Sequence, residues 1–111
     1  MNYPEQIETE YLNNYKLSAD LKALRNDDSE IIEEFTMQVA TDPALSNDTK
    51  RKAALKMLLA GDVEHLQLAE LIRDAEGVVA RSNARLERLR GEFAVWKLEV
   101  RDRISMAEAS N

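Results

Sequence analysis

The sequence predicts an all-α fold in which two long helices form an antiparallel hairpin joined by a short helix. The hairpin is expected to be coiled-coil-like and to assemble into a helical bundle. Between Leu68 and Arg103, apolar residues recur at alternating spacings of four and three, the heptad pattern of a helix packed lengthwise on other helices. Only 3 glycines and 2 prolines occur, and charged residues make up 32% of the chain against 5% for aromatic residues. This composition is typical of long helices.

The long C-terminal helix is predicted over residues 62–104, because Asp62 is a good N-cap residue and no proline follows it. A helix of this length spans roughly 60 Å at about 1.5 Å per residue. Two polar residues, Ser82 and Arg103, interrupt its apolar stripe. The predicted helix-packing seam consists of Leu68, Ile72, Val79, Leu86, Leu89, Phe93, Trp96 and Val100.

Nearly opposite this seam, small residues recur on the same helix at the same spacing. Glycine inside a helix is about 1 kcal/mol less favourable than alanine, so Gly77 and Gly91 need an explanation. They are either tolerated solvent-exposed positions or part of a second interface, where the backbone of another copy of the chain approaches closely. The predicted oligomer interface comprises Gly77, Ala80, Ala84, Gly91, Ala94 and Leu98.

The first helix is predicted over about residues 4–41, because Pro4 suits a first turn and Pro43 ends the helix. Its apolar stripe is expected to run through Ile7, Tyr11, Leu12, Tyr15, Leu17, Leu21, Leu24, Ile31 and Phe35. Asp28 lies where an apolar residue is expected, within a polar segment at 26–29. Either one helix continues through this segment, with or without a kink, or two helices meet there; the unbroken register favours continuity.

A short second helix is predicted over residues 47–60, with Ser46, Asn47 or Asp48 as its N-cap and Gly61 as the residue that ends it. Residues 105–111 are expected to form a frayed tail. The chain length of 111 residues predicts one helical domain, 1–111.

Charge is distributed unevenly along the chain, whose net charge is −6. Residues 1–42 carry 10 acids and 3 bases, whereas residues 43–111 carry 11 acids and 12 bases. The two halves should therefore attract each other, within one chain or between two. A local basic patch that could hold an anion or a nucleic acid is formed by Lys50, Arg51, Lys52, Arg81, Arg85 and Arg88.

Residues suited to catalysis are sparse. The chain has no cysteine, and its single histidine, His65, is expected at the surface near a helix cap. The spacing Glu30-x-x-Glu33 resembles the first acidic pair of the all-α nucleotide pyrophosphohydrolases. That resemblance implies a magnesium-dependent hydrolase, but the second pair here, Glu70-x-x-x-Asp74, is one residue too long for the family pattern. We therefore expect no catalytic residues, no metal site and no cofactor.

These observations predict a non-enzymatic interaction protein, a scaffold or adaptor that binds itself, as a homodimer or higher oligomer, and another protein. A small bacterial or phage accessory protein in the cytoplasm would have this character, and no contact with a membrane is expected. The alternative is a nucleic-acid-associated accessory protein that uses the basic patch.

Overall fold

Three α helices make up the part of the chain that the computed structural model describes, residues 2–110. The helices are α1 (Tyr3–Ala40), α2 (Asp48–Gly61) and α3 (Val63–Ser110). Helix accounts for 92% of the structure, and residues 2–110 contain no strand. The all-α prediction is confirmed. None of the helices within residues 2–110 has the length and apolar character needed to cross a membrane.

Helix α1 runs without interruption through residues 26–29, the segment where the sequence allowed either one continuous helix or two helices. Its first turn is capped by Asn2, whose side-chain oxygen accepts a hydrogen bond from the backbone N–H of Glu5 at 3.0 Å. The helix ends before Pro43, where the side chain of Asp42 accepts a hydrogen bond from the backbone N–H of Ala44 at 2.9 Å.

Helix α2 begins after Asn47, which was one of the three predicted caps. The Asn47 side chain accepts a hydrogen bond from the backbone N–H of Lys50 at 2.9 Å. Gly61 was predicted to follow the last residue of the helix, but it is itself the last helical residue and has no positive φ, so that prediction is wrong. The extended residue Asp62 ends the helix instead, and its backbone N–H bonds to the carbonyl oxygen of Leu59.

The same Asp62 starts α3, because its carboxylate accepts a hydrogen bond from the backbone N–H of His65 at 2.8 Å. Helix α3 then continues to Ser110, past the predicted end at 104. The expected frayed tail is therefore helical from 105 to 110, whereas Asn111 lies outside the described residues. The segment Ser105–Ser110 contains no glycine or proline to stop the helix, and its Met, Ala and Glu residues are good helix formers.

The described residues group into two compact units. The first, which we call the terminal unit, combines residues 2–17 of the chain with residues 78–110. The second, the connector unit, comprises residues 18–77 and includes α2. That both units belong to one domain stays a prediction from chain length.

Within the terminal unit, the segments of α1 and α3 run in opposite directions. Tyr3 lies beside Phe93, with ring centroids 5.9 Å apart, and Glu10 further along α1 contacts Arg85, which is earlier in α3. The buried residues of this unit are Leu86, Leu89 and Ser82.

In the connector unit the buried residues are Leu21 and Val39. Arg25 of α1 pairs there with Glu76 of α3 at 3.1 Å, but both side chains are about half exposed. Exposed pairs of this kind contribute under about 1 kcal/mol, so apolar packing contributes more to the stability of this unit than the ion pair does.

Candidate functional site

A polar network lies between α1 and α3 in the terminal unit, at positions where a coiled coil normally carries apolar residues. Ser82 is completely buried, with 0% of its surface exposed. Its hydroxyl donates a hydrogen bond to Oε1 of Glu10 at 2.7 Å and accepts one from the Asn14 side chain at 3.1 Å. Because both functions of the hydroxyl are used, its burial carries no unsatisfied polar atom.

Glu10 joins this network to the basic residues of α3. Its side chain is 16% exposed, and its Oε1 also accepts a hydrogen bond from Arg85 Nε at 3.2 Å and forms an ion pair with Arg85 Nη2 at 3.1 Å. The hydrogen bond from Ser82 holds the pKa of Glu10 below its ordinary value, and those from Arg85 and Asn13 act in the same direction, while burial opposes them. The carboxylate is therefore held in its charged form inside the helix interface.

Glu10 and Asn14 were missed as core residues by the sequence analysis, which followed apolar residue types. The structure leaves Tyr11, Leu12 and Tyr15 exposed, up to 72% for Tyr15, so their placement on the packing stripe is wrong. The heptad of Leu17, Leu21 and Leu24, continued backwards at spacings of three and four, leads instead to positions 14, 10, 7 and 3. That continued register is the signal that identifies the network.

A second polar contact lies in the connector unit, between Asp28 and His65. His65 Nδ1 lies 2.5 Å from Oδ1 of Asp28, and their side chains are only 18% and 14% exposed. The expectation of a surface histidine is therefore wrong. Continuing the α3 seam backwards from Leu68 by three residues reaches position 65, so His65 is a seam residue. Its partner Asp28 is the polar residue that occupies an expected apolar position of α1.

The predicted α3 seam is buried to different degrees along its length. Leu86 and Leu89 are buried, whereas Trp96 is 47% exposed. The remaining predicted seam residues are all partly buried: Leu68, Ile72, Val79, Phe93 and Val100.

Trp96 belongs to an aromatic cluster at one end of the terminal unit. Phe93 and Trp96 are stacked, with centroids 6.0 Å apart, and Tyr3 of α1 contacts both rings. The ammonium group of Lys97 lies 4.5 Å from the centre of the Phe93 ring. Trp96 is 47% exposed in spite of these ring contacts. A full core role for this residue is therefore wrong in the single chain.

The predicted oligomer interface is mostly exposed in the single chain. Gly77 is partly buried, and the other five members, Ala80, Ala84, Gly91, Ala94 and Leu98, are exposed. Beyond the neighbouring residues and backbone of its own helix turn, a Cβ atom added at Gly91 would meet no atom within 4 Å. No packing within the chain therefore requires a glycine at this helix-interior position.

The predicted basic patch is divided between the two units. In the connector unit, Arg51 donates to the Leu45 carbonyl at 3.2 Å and lies 3.5 Å from the Asp48 carboxylate. In the terminal unit, Arg85 pairs with Glu10 and Arg88 lies 3.7 Å from Glu92. Within residues 2–110, no ion pair involves the other three members, Lys50, Lys52 and Arg81.

Carboxylates line an open cleft of about 410 Å³ in the connector unit. Glu30 belongs to this lining, with Asp27, Glu34 and Glu64, whereas Glu33, Glu70 and Asp74 do not. Across residues 2–110, no three histidine or acidic side chains are placed so that they could hold a metal ion together. Glu30 and Glu33, the pair that resembles the pyrophosphohydrolase pattern, therefore do not form a metal-binding set with Glu70 and Asp74.

Comparison with protein-family models, with curated proteins and with solved structures finds no match to this chain.

Proposed function

We propose that this chain is a non-enzymatic helical interaction protein, a scaffold or adaptor, whose first partner is a second copy of itself. The antiparallel pairing of α1 with α3 would form a hairpin, and two hairpins would pack into a bundle through the outer face of α3. This outer face is the predicted oligomer interface, formed by Gly77, Ala80, Ala84, Gly91, Ala94 and Leu98. Closed two-fold dimers are the commonest homo-oligomers, and packed helix pairs form four-helix bundles readily.

The observation that carries this proposal is the imbalance between buried and exposed apolar side chains. In residues 2–110, the buried apolar residues are Leu21, Val39, Leu86 and Leu89. Thirteen other large apolar residues are between 47% and 77% exposed. Scattered exposed apolar residues are ordinary, but so many against so small a core favour a partner that covers some of them.

The outer face of α3 is the proposed contact surface because it combines small residues with a single large apolar one, Leu98. Small side chains let a second helix backbone approach closely, as Gly91 and Ala94 would here. Leu98 is 49% exposed and, with Ala94, lines a shallow groove on this helix.

Sedimentation of the parent protein and of outer-face variants tests the proposal. We expect a parent mass above that of the 12.6 kDa monomer, and a shift to the monomer in Ala84→Glu and Gly91→Glu, because a buried unpaired carboxylate opposes association. Ala23→Glu makes the same chemical change at an exposed position of α1 and should leave the mass unchanged. A parent protein that is still monomeric at a concentration of roughly 100 μM, which is about 100 times a micromolar dissociation constant, would contradict the proposal.

The nucleic-acid alternative has less support, because three of the six basic residues interact with acidic residues of their own chain: Arg51, Arg85 and Arg88. Binding through phosphates depends on free cations and weakens steeply with salt. Salt-dependent retention on DNA, lost in Lys50→Glu with Arg51→Glu, would be the result in its favour.

A further inference from the structure

Polar residues on the α1 seam meet polar residues on the α3 seam in both units. In the terminal unit, Glu10 and Asn14 of α1 contact Ser82 of α3. In the connector unit, Asp28 of α1 contacts His65. Among the described residues, every buried side-chain nitrogen or oxygen atom has a hydrogen-bond partner.

The terminal network is the more informative of the two, because it extends across several residues of both helices. Asn14 donates a hydrogen bond to Ser82, and Ser82 donates one to Oε1 of Glu10. Arg85 donates to the same Glu10 oxygen. Asn14 also donates to the side-chain oxygen of Asn83 at 2.7 Å. The α3 seam here is therefore shaped for a helix that carries a carboxylate and, four residues later, a carboxamide.

Other registers lose these contacts. Sliding α1 by one heptad in one direction would bring Glu10 to the present level of Tyr3, whose neighbours on α3 are Phe93 and Trp96. Sliding it the other way would bring Glu10 to the level of Leu17. In both cases the carboxylate leaves Ser82 and Arg85, and a partly buried charge without hydrogen bonds is strongly unfavourable.

We propose that the network of Glu10, Asn14, Ser82 and Arg85 fixes the register of α1 on α3 and makes the α3 seam selective for α1 over a purely apolar helix. Single polar residues at core positions of coiled coils specify register and pairing in this way, at a cost in stability. This selectivity would leave the outer face of α3, and not its seam, available to another copy. The proposed role of the network in fixing the register goes beyond self-association and applies equally to a monomer.

Distances between two spin labels test the register within one chain. The chain has no cysteine, so labels attach only at introduced cysteines. Lys16→Cys and Arg90→Cys place them at exposed positions of α1 and α3 in the terminal unit. A one-heptad slide changes the axial offset of the labels by about 10 Å. Dilution with unlabelled protein removes distances between copies, so the result does not depend on self-association.

We expect a single distance in the labelled parent and in Glu8→Leu, a control that removes an exposed carboxylate from the same helix. In Glu10→Leu with Asn14→Leu, we expect a second distance population of at least roughly one part in ten, because the polar contacts no longer separate the registers. Retention of one parent-like distance in a helical double variant would overturn the proposal.

A second double variant covers the case in which the first loses its helix signal in circular dichroism. Ser82→Ala with Arg85→Ala removes the α3 partners of Glu10 and puts no larger side chain at the fully buried position 82. We expect a second or displaced distance in this variant, because Glu10 keeps its charge and loses these partners. Retention of the single parent distance in this variant would contradict the assignment of register to this network.

Discussion

At the scale of single residues, the terminal unit shows how a buried hydroxyl can replace an apolar side chain. Ser82 is smaller than the apolar side chains of the rest of the seam, so α1 and α3 can approach closely enough for direct hydrogen bonds to Glu10 and Asn14. The charge of Glu10 is then compensated by Arg85, whose side chain is 42% exposed and keeps part of its contact with water. Charge-assisted hydrogen bonds of this type are stronger than neutral ones.

The lowered pKa of Glu10 gives the terminal unit a defined response to acid. A carboxylate whose pKa falls on folding contributes stability above its unfolded value, near 4.5, and this contribution is lost as the pH falls through the lower folded value. Glu10→Gln removes this contribution. We expect the parent to be more stable than Glu10→Gln at pH 7, and the difference to shrink as the pH is lowered below 4.5.

Urea unfolding at a series of pH values measures this difference directly. Glu8→Gln, which changes an exposed carboxylate of the same helix, is the control and should follow the parent at every pH. A stability difference between Glu10→Gln and the parent that is constant from pH 7 to pH 3 would show that the charge of Glu10 is not involved.

At the scale of helices, the sequence predicts a residue's structural role where its side chain is of the type usual for that role, such as a capping residue at a helix end or an apolar residue in a seam. The stop at Pro43, the cap at Asn47 and the α3 seam around Leu86 all follow from local rules, because apolar spacing and capping groups act within a few residues. The core role of Glu10 depends instead on Ser82 and Arg85, which are more than 70 residues away in sequence. A search for apolar residues selects the exposed Tyr11 and Leu12 in its place.

The outer face of α3 raises a different difficulty for prediction. Small residues at exposed positions give the same sequence pattern whether solvent or another helix covers them, so the pattern alone does not separate the two interpretations. The space around Gly91 makes the two interpretations separable by experiment, since a methyl group added there meets no atom within 4 Å beyond the neighbouring residues and backbone of its own helix turn.

Gly91→Ala is expected to have opposite effects on the helix and on the assembly. Alanine in a helix interior is more favourable than glycine by about 1 kcal/mol, so the variant should unfold at a higher temperature when dilute. If another backbone lies against Gly91, the added methyl group separates the two helices and weakens self-association. Thermal unfolding of dilute samples combined with sedimentation at high concentration measures both effects.

Gly61→Ala is the matched control for this experiment. A Cβ atom at Gly61 also meets nothing within 4 Å, and this glycine lies at the end of α2, away from the proposed contact surface on α3. We expect Gly61→Ala to leave the sedimentation mass unchanged. A Gly91→Ala variant that is stabilised and associates as well as the parent would show that the outer face is merely exposed to solvent.

At the scale of the whole molecule, the apolar surface left uncovered has thermodynamic consequences. Folded domains are stable by only about 5–15 kcal/mol, and a chain that buries few large apolar residues has little surplus. Within the described range, the helical segments of each unit are joined by hydrogen bonds and by two buried apolar residues, Leu86 and Leu89 in the terminal unit and Leu21 and Val39 in the connector unit. Any apolar surface that a second copy removes from water adds stabilisation at roughly 25 cal/mol per Å².

The stability of the parent protein should therefore depend on its concentration. When a folded dimer unfolds to separate chains, mass action favours the folded state at higher concentration. Each tenfold increase is worth about 1.4 kcal/mol and should raise the unfolding temperature by a few degrees. Differential scanning calorimetry over two decades of concentration measures this, and Gly91→Glu should lose the dependence if the outer face of α3 is the contact. An unfolding temperature that is independent of concentration in the parent would mean that the exposed apolar residues remain in water, and self-association would then not be the function of this surface.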